Sequence, residues 1–162
     1  MMITEVCVGK CMKRKVVTVT ASTTVEEAAR VVVQERVGTL PVVDEESILT
    51  GVVRLQDLLR IFMPDFIALL GDIDFVHDFG PLEQVQPQHM SQAAQLTMTD
   101  LAATPVAVEE DDGLMHALVT MMKHQLQDLP IVDKAGRLVG IASRVDIARA
   151  FFAPRVGDGL SP

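Results

Sequence analysis

The chain has 162 residues, 49% of them hydrophobic, and a formal net charge of −8 at pH 7. That length suits one medium domain or two small ones sharing a core, and the hydrophobic share excludes a disordered chain. Lys and Arg total 14 against 22 Asp and Glu, with no basic stripe to displace counterions from phosphates, which excludes a general nucleic-acid binder.

No apolar run approaches the roughly 18 residues that a membrane span needs. The start, MMITEVCVGK, has no stretch of signal-peptide character, so a cytoplasmic protein is expected. Cys7 and Cys11 are too few for a disulfide framework, and their spacing without a third ligand makes a poor zinc site, so both are read as reduced thiols. The KRK run at 13–15 reads as a solvated loop or, alternatively, as basic residues near a bound phosphate.

In chain order, VVTVT at 16–20 predicts a short strand. Ser22 to Thr24 before Glu26 and Glu27 offer a capping box, and Val25, Ala28, Ala29 and Val32 then follow at helical spacing. LPVVD at 40–44 predicts an apolar strand, DEESILTG a hairpin turn and GVV at 51–53 its partner. A helix starts near Arg54 and runs to Phe62. Over 63–97 the spacing predicts a short helix at 65–70, an acidic helix or turn at 72–79 and then a looser Pro- and Gln-rich run. Its Phe66, Leu69, Leu70, Phe75, Val76 and Phe79 are too apolar for a free linker. Residues 61–122 hold ten acidic residues and no Lys or Arg.

The pattern then recurs. Residues 16–62 align without a gap on 105–151 at an offset of 89, with 12 of 47 positions identical, among them Leu40/Leu129, Pro41/Pro130, Gly51/Gly140 and Asp57/Asp146. PVAVE at 105–109 is the second first strand, and Asp111 and Asp112 stand at the start of the next helix. LPIVD at 129–133 and GIA at 140–142 form the second hairpin, followed by a helix from Ser143. The expected fold is α+β: two tandem β-α-β-β-α repeats packed as a pseudo-two-fold pair, with a first repeat at 1–62, a linker at 63–97 and a second repeat at 98–162. Neither unit has core enough to stand alone.

The heptads GVVRLQD (51–57) and GIASRVD (140–146) share a frame but differ at the fourth position. Ser143 and Asp146 form a capping box, or they meet a ligand; a helix start welcomes phosphate and a carboxylate accepts from vicinal hydroxyls. Arg54 has only donors and cannot cap the positive end of a helix. It either binds phosphate, with help from Lys13, Arg14 or Lys15, or pairs with Asp57 or an acidic linker residue. His77, His89, His116 and His124 show no metal-ligand spacing, and no nucleophile elbow, P-loop, zincin or dinucleotide motif is present. Met115, Met121 and Met122 read as core or interface filler.

The order of strand, capped helix, h-P-h-h-D strand, turn and G-h-h-S/T-x-x-D, repeated in register, resembles the tandem cystathionine-β-synthase (CBS) domain family. The resemblance covers about residues 10–62 and 99–152. It implies a stand-alone, non-enzymatic regulatory module with no required cofactor and no metal. The module would sense an adenosyl-type small molecule (AMP, ADP, ATP or S-adenosylmethionine) in clefts between the repeats, form a homodimer, and signal to an unidentified protein. Carried over by position, one cleft uses Ser143 toward phosphate and Asp146 toward ribose, with Thr104 and Val106 beside the adenine. Leu126, Gln127, Asp128 and Pro130 would add base contacts, Ile141 packing on the ring and Arg144 reach to the phosphates. The other cleft has Lys15, Val17, Val37, Gly38, Thr39, Pro41, Val52, Arg54 and Asp57, and Arg54 departs there from the family pattern. A rival expectation is a structural interaction module with empty clefts.

Overall fold

The first repeat begins where its sequence signals place it. In the computed structural model, which describes residues 6–61 and 93–156, Thr24 caps helix α1 (Val25–Glu35). Glu27 N donates to Thr24 Oγ1 at 3.2 Å, and Thr24 N donates back to Glu27 Oε2 at 2.9 Å. This reciprocal box satisfies two donors that a helix start leaves unpaired. α1 stops at Arg36, whose φ of 53° is left-handed and cannot continue the helix. Strands β1 (Thr39–Val43) and β2 (Leu49–Arg54) pair antiparallel, and α2 (Leu55–Ile61) follows directly.

The later residues repeat the scheme: α3 (Met98–Leu101), β3 (Val108–Glu109), α4 (Leu114–Lys123), β4 (Asp128–Val132), β5 (Leu138–Ser143) and α5 (Arg144–Val156). β4 is central, parallel to β3 and antiparallel to β5. Gln125, with φ 53°, ends α4 as Arg36 ends α1.

Two expectations are corrected. The strand expected at 16–20 shrinks to one bridge, in which Val19 N donates to Pro41 O at 3.0 Å and Val43 N to Val19 O at 2.9 Å. The chain turns away at once, Thr23 N closing on Thr20 O at 3.1 Å, so no second pair can form. The strand expected at 105–109 narrows to Val108–Glu109. Asp112 stands just before α4, as expected; its Oδ2 accepts from Glu109 N at 2.8 Å, closing the turn before the helix, and Gly113 is the N-cap. The helices expected within 65–79 lie outside the described residues.

The sequence did not announce how the repeats complete each other. Val8, in a short 3-10 turn (Val8–Lys10), is fully buried in the core of the second repeat, with Ala117, Met121, Leu129, Ile131 and Ile147. Met98, the first residue of the second repeat, is fully buried in the core of the first, with Val25, Ala28, Leu40, Val42 and Val53. Each such burial contributes about 2 kcal/mol. The bridges obey the same exchange: Cys7 pairs with Gly113 and Thr97 with Thr24, Lys13 with Ile141 and Ala103 with Val52. Packing therefore crosses the boundaries drawn along the chain, and the pseudo-two-fold follows. Two contacts join a residue to its own equivalent 89 positions away, the Thr39–Asp128 hydrogen bond and the Ile48–Arg137 bridge, so the axis passes between them.

Candidate functional site

Each hairpin runs straight into a helix, and the corner is held from the strand beside it. Leu55 N donates to Gly38 O at 2.8 Å, and Arg144 N to Gln127 O at 3.0 Å. The shared frame thus places an aspartate three residues beyond the last strand residue, where its carboxylate can reach back to the backbone. In the second repeat Asp146 Oδ2 accepts from Ser143 N at 2.9 Å and Ser143 Oγ at 2.7 Å, while Asp146 N donates to Ser143 Oγ at 3.2 Å. The Lys13 ammonium lies 3.4 Å from the same oxygen. Partial burial pushes the Asp146 carboxyl up, but the Ser143 hydroxyl, the Ser143 N–H and the Lys13 charge together outweigh it and hold the pKa below the usual aspartate value.

The first repeat fills the same corner differently. Asp57 Oδ2 accepts from Arg54 N at 3.0 Å and from Arg54 Nε at 3.2 Å, and Arg54 Nη2 reaches Oδ1 at 3.5 Å. Of the two readings open for Arg54 in the sequence, the structure shows the pairing with Asp57. The guanidinium grips both carboxylate oxygens and takes the place that a hydroxyl cap occupies in the other copy.

A cavity of about 480 Å³ opens between the repeats beside Arg54. The first repeat supplies Gly38, Thr39, Val52 and Arg54; the second supplies Thr104, Val106, Leu126, Gln127, Asp128 and Pro130. This regroups the expected sites. Thr104 and Val106, expected beside Ser143 and Asp146, stand beside Arg54 instead. The cause is backbone pairing: Ala103 N donates to Val52 O at 3.0 Å and Val52 N to Ala103 O at 3.1 Å, which fastens the segment entering the second repeat to β2. Reciprocal pairing of Lys13 with Ile141, at 2.8 and 3.0 Å, fastens the basic run near Lys15 to β5.

Ile141, Ser143, Arg144 and Asp146 do not line this cavity, and neither do Lys15, Val17, Val37, Pro41 or Asp57. Arg144 is tied down by Nε donating to Leu126 O at 2.6 Å. Val17 and Val37 pack against the first core, and Pro41 is fully buried. Asp57 acts on the cavity through Arg54. Sequence reasoning missed Leu55, Gln56, Leu59, Ala103, His124 and Gln125, all of which line it. Leu55 and Leu59 sit one helical turn apart, a spacing that reads equally well as core; the left-handed turn at Gln125, beside which His124 and Gln125 edge the cavity, has no glycine to signal it.

Thr39 Oγ1 donates to Asp128 Oδ2 at 2.8 Å across the axis, and both residues line the cavity. Among the described residues no group of three His, Cys, Asp or Glu side chains could hold a metal. His116 and His124 are exposed; His77 and His89 lie outside the described residues. Cys7 and Cys11 are free thiols, and burial, then the Asp146 charge, push the Cys11 thiol up. No described helix is long and apolar enough to cross a membrane.

A family model described as CBS domain matches residues 8–64 and 93–153. The CBS domain-containing protein CBSX1, chloroplastic, of Arabidopsis thaliana is 31% identical over 153 residues, spanning 88% of this chain and 63% of that protein. CBSX2, chloroplastic, of the same plant is 30% identical over 138 residues, 80% of this chain and 56% of that protein. The chain thus spans less than two thirds of the length of these relatives. A crystal structure of CBSX2 in complex with AMP superposes with a TM-score of 0.68 at 28% identity, covering 91% of this chain and 97% of that one. A second, of the CBS-pair protein CBSX2 from Arabidopsis thaliana, gives a TM-score of 0.72 at 27% identity, covering 93% and 97%.

Proposed function

We propose that this chain, which belongs to the CBS domain family, is a regulatory module that takes an adenine nucleotide or related adenosyl compound in the cleft beside Arg54 and passes its occupancy to a partner protein. The observation that carries this reading is the cavity of about 480 Å³ whose walls come from both repeats. Its volume falls in the range of small-molecule sites, about 300–1,000 Å³. A ligand there touches both repeats at once, so it has different affinity for different relative packings of the two; that difference is what a signal requires. The AMP carried by CBSX2, at 28% identity, supports the ligand class.

The module has no catalytic role in this reading, its compartment is the cytoplasm, and it works as a homodimer. Support for the dimer is an apolar face on two helices that pack together: Met115, Val119 and Met122 on α4 are 56%, 55% and 66% exposed, and Val145 and Phe152 on α5 are 65% and 52% exposed. Calorimetric titration with AMP, ADP, ATP and S-adenosylmethionine tests the ligand reading. Saturable binding of at least one is expected; no heat from any of them at about millimolar concentration overturns it and leaves an interaction module with empty clefts.

A further inference from the structure

The two repeats put different chemistry at the same corner, and the difference bears on what the open cleft can read. Vicinal ribose hydroxyls are recognised by a carboxylate with acceptor capacity to spare. Asp57 has little: Oδ2 accepts from Arg54 N and Nε, and Oδ1 faces Nη2. The donors on Asp146, by contrast, all converge on the single oxygen Oδ2. Arg54 itself lines the cavity with a side chain 34% exposed. A guanidinium carries five N–H groups in a rigid fork, and with Nε and one Nη2 proton turned to Asp57 the others remain for an anion.

The charge balance limits that anion. Asp128 also lines the cavity, and Asp57 already neutralises Arg54. A polyphosphate extends charge beyond the fork toward both carboxylates and is repelled by them, whereas a single phosphate (about −1.5 to −2) or carboxylate placed on the fork meets the one cation at short range.

On the reading of this cleft given above, on which the inference rests, we infer that it recognises its ligand through one anionic group held by Arg54 and not through ribose hydroxyls held by Asp57. Its ligand class is an adenosyl compound with a single phosphate or carboxylate, and a deoxyribose is tolerated. Arg54 is the specificity-determining residue, and the carboxylate three residues on serves to aim it.

The test is calorimetry of AMP, 2′-deoxyadenosine 5′-monophosphate, adenosine and ATP on the wild type, Arg54→Ser and Arg54→Lys. For the wild type, the deoxy compound is expected within about threefold of AMP, with adenosine and ATP each about tenfold weaker, as loss of one charge-assisted hydrogen bond implies. Arg54→Ser recreates the corner seen at Ser143. It should lose the preference of AMP over adenosine and gain about tenfold discrimination against the deoxy sugar. Arg54→Lys, which keeps charge without the fork, should fall between them. Unchanged AMP affinity in Arg54→Ser, or a deoxy compound tenfold weaker than AMP on the wild type, overturns the inference while leaving nucleotide binding intact. If no compound binds the wild type, the functional reading itself fails. Should Arg54→Ser not fold, the wild-type series and Arg54→Lys still decide.

Discussion

The Thr39 hydroxyl donates to the Asp128 carboxylate at 2.8 Å, between two residues that occupy the same position in the two repeats. Thr39 is only 8% exposed. A hydrogen bond to a charged group is worth about 1.5–3 kcal/mol, and leaving a partly buried carboxylate without its donor costs in the same range. Thr39→Val, which keeps the shape and removes the donor, should lower unfolding free energy by about 1–2 kcal/mol. Thr39→Ser should lose less than half of that. Urea denaturation of the three proteins checks it, and equal midpoints for wild type and Thr39→Val would show that the bond across the axis is dispensable.

A methyl group at Gly51 would stand 2.8 Å from Ala102 Cβ and 3.4 Å from Ala103 O. Neither neighbour has a flexible end to move aside. Gly51→Ala should therefore cost about 1–3 kcal/mol and push residues 102–104 off β2. Because Ala103 and Thr104 line the cavity, ligand affinity should fall with stability. Parallel thermal melts and calorimetry on this variant would separate the two effects; a stable protein with unaltered affinity contradicts the packing described.

Met98→Ala, although it lies at the start of the second repeat, should destabilise the first, since Met98 is fully buried in the first core. The expected loss is about 2–5 kcal/mol. Val8→Ala should act reciprocally on the second core by about 2 kcal/mol. Amide hydrogen exchange is the deciding measurement: accelerated exchange must appear in β1 and β2 for Met98→Ala and in β4 and β5 for Val8→Ala.

Asp146 has a folded pKa held below its ordinary value of about 4. A depressed folded pKa gives stability that is fully present above the unfolded value and lost as pH falls through the folded one. Stability should thus drop as pH is lowered below about 4. Ser143→Ala removes the hydroxyl that donates to Oδ2 at 2.7 Å, which brings the folded and unfolded values closer. It should cost about 1 kcal/mol at neutral pH as a lost cap and make the acid limb shallower. Urea midpoints from pH 2 to 7 (about the usable range for carboxylate titration) test it; curves that stay parallel refute the assignment to Asp146.

Val119→Glu puts a charge in the middle of the exposed apolar face of α4, where Val119 is 55% exposed in the monomer. It should convert a dimer to a monomer in light scattering without lowering thermal stability by more than about 0.5 kcal/mol, as for an ordinary surface site. A monomeric wild type removes the dimer reading.

The elements built on strong local chemistry were legible. The T-x-x-E box of α1, the Pro-opening strands and the helix that starts within each heptad all stand where periodicity and capping place them, because each is decided within a few residues. The ends of the short first strands were not, since a strand exists only where a neighbour pairs with it, and the turn at Thr20–Thr23 takes the chain away after one residue. For the same reason the site residues were found as types but not as groups. Thr104, Val106, Gln127 and Arg54 were each singled out, yet which of them face one another depends on which strand residues 102–104 join.

The sequence by itself determined the duplicated unit, its helices and hairpins and the difference between Arg54 and Ser143, for these are properties of local pattern and of a register that 47 aligned positions maintain. The tertiary structure alone decided that each core is closed by the first residues of the other repeat, and that the cavity opens beside Arg54. Both are long-range facts: they follow from the Val52–Ala103 and Ile141–Lys13 backbone pairs, which no helical or strand period encodes, because a backbone N–H and C=O are the same in every residue that could have made them.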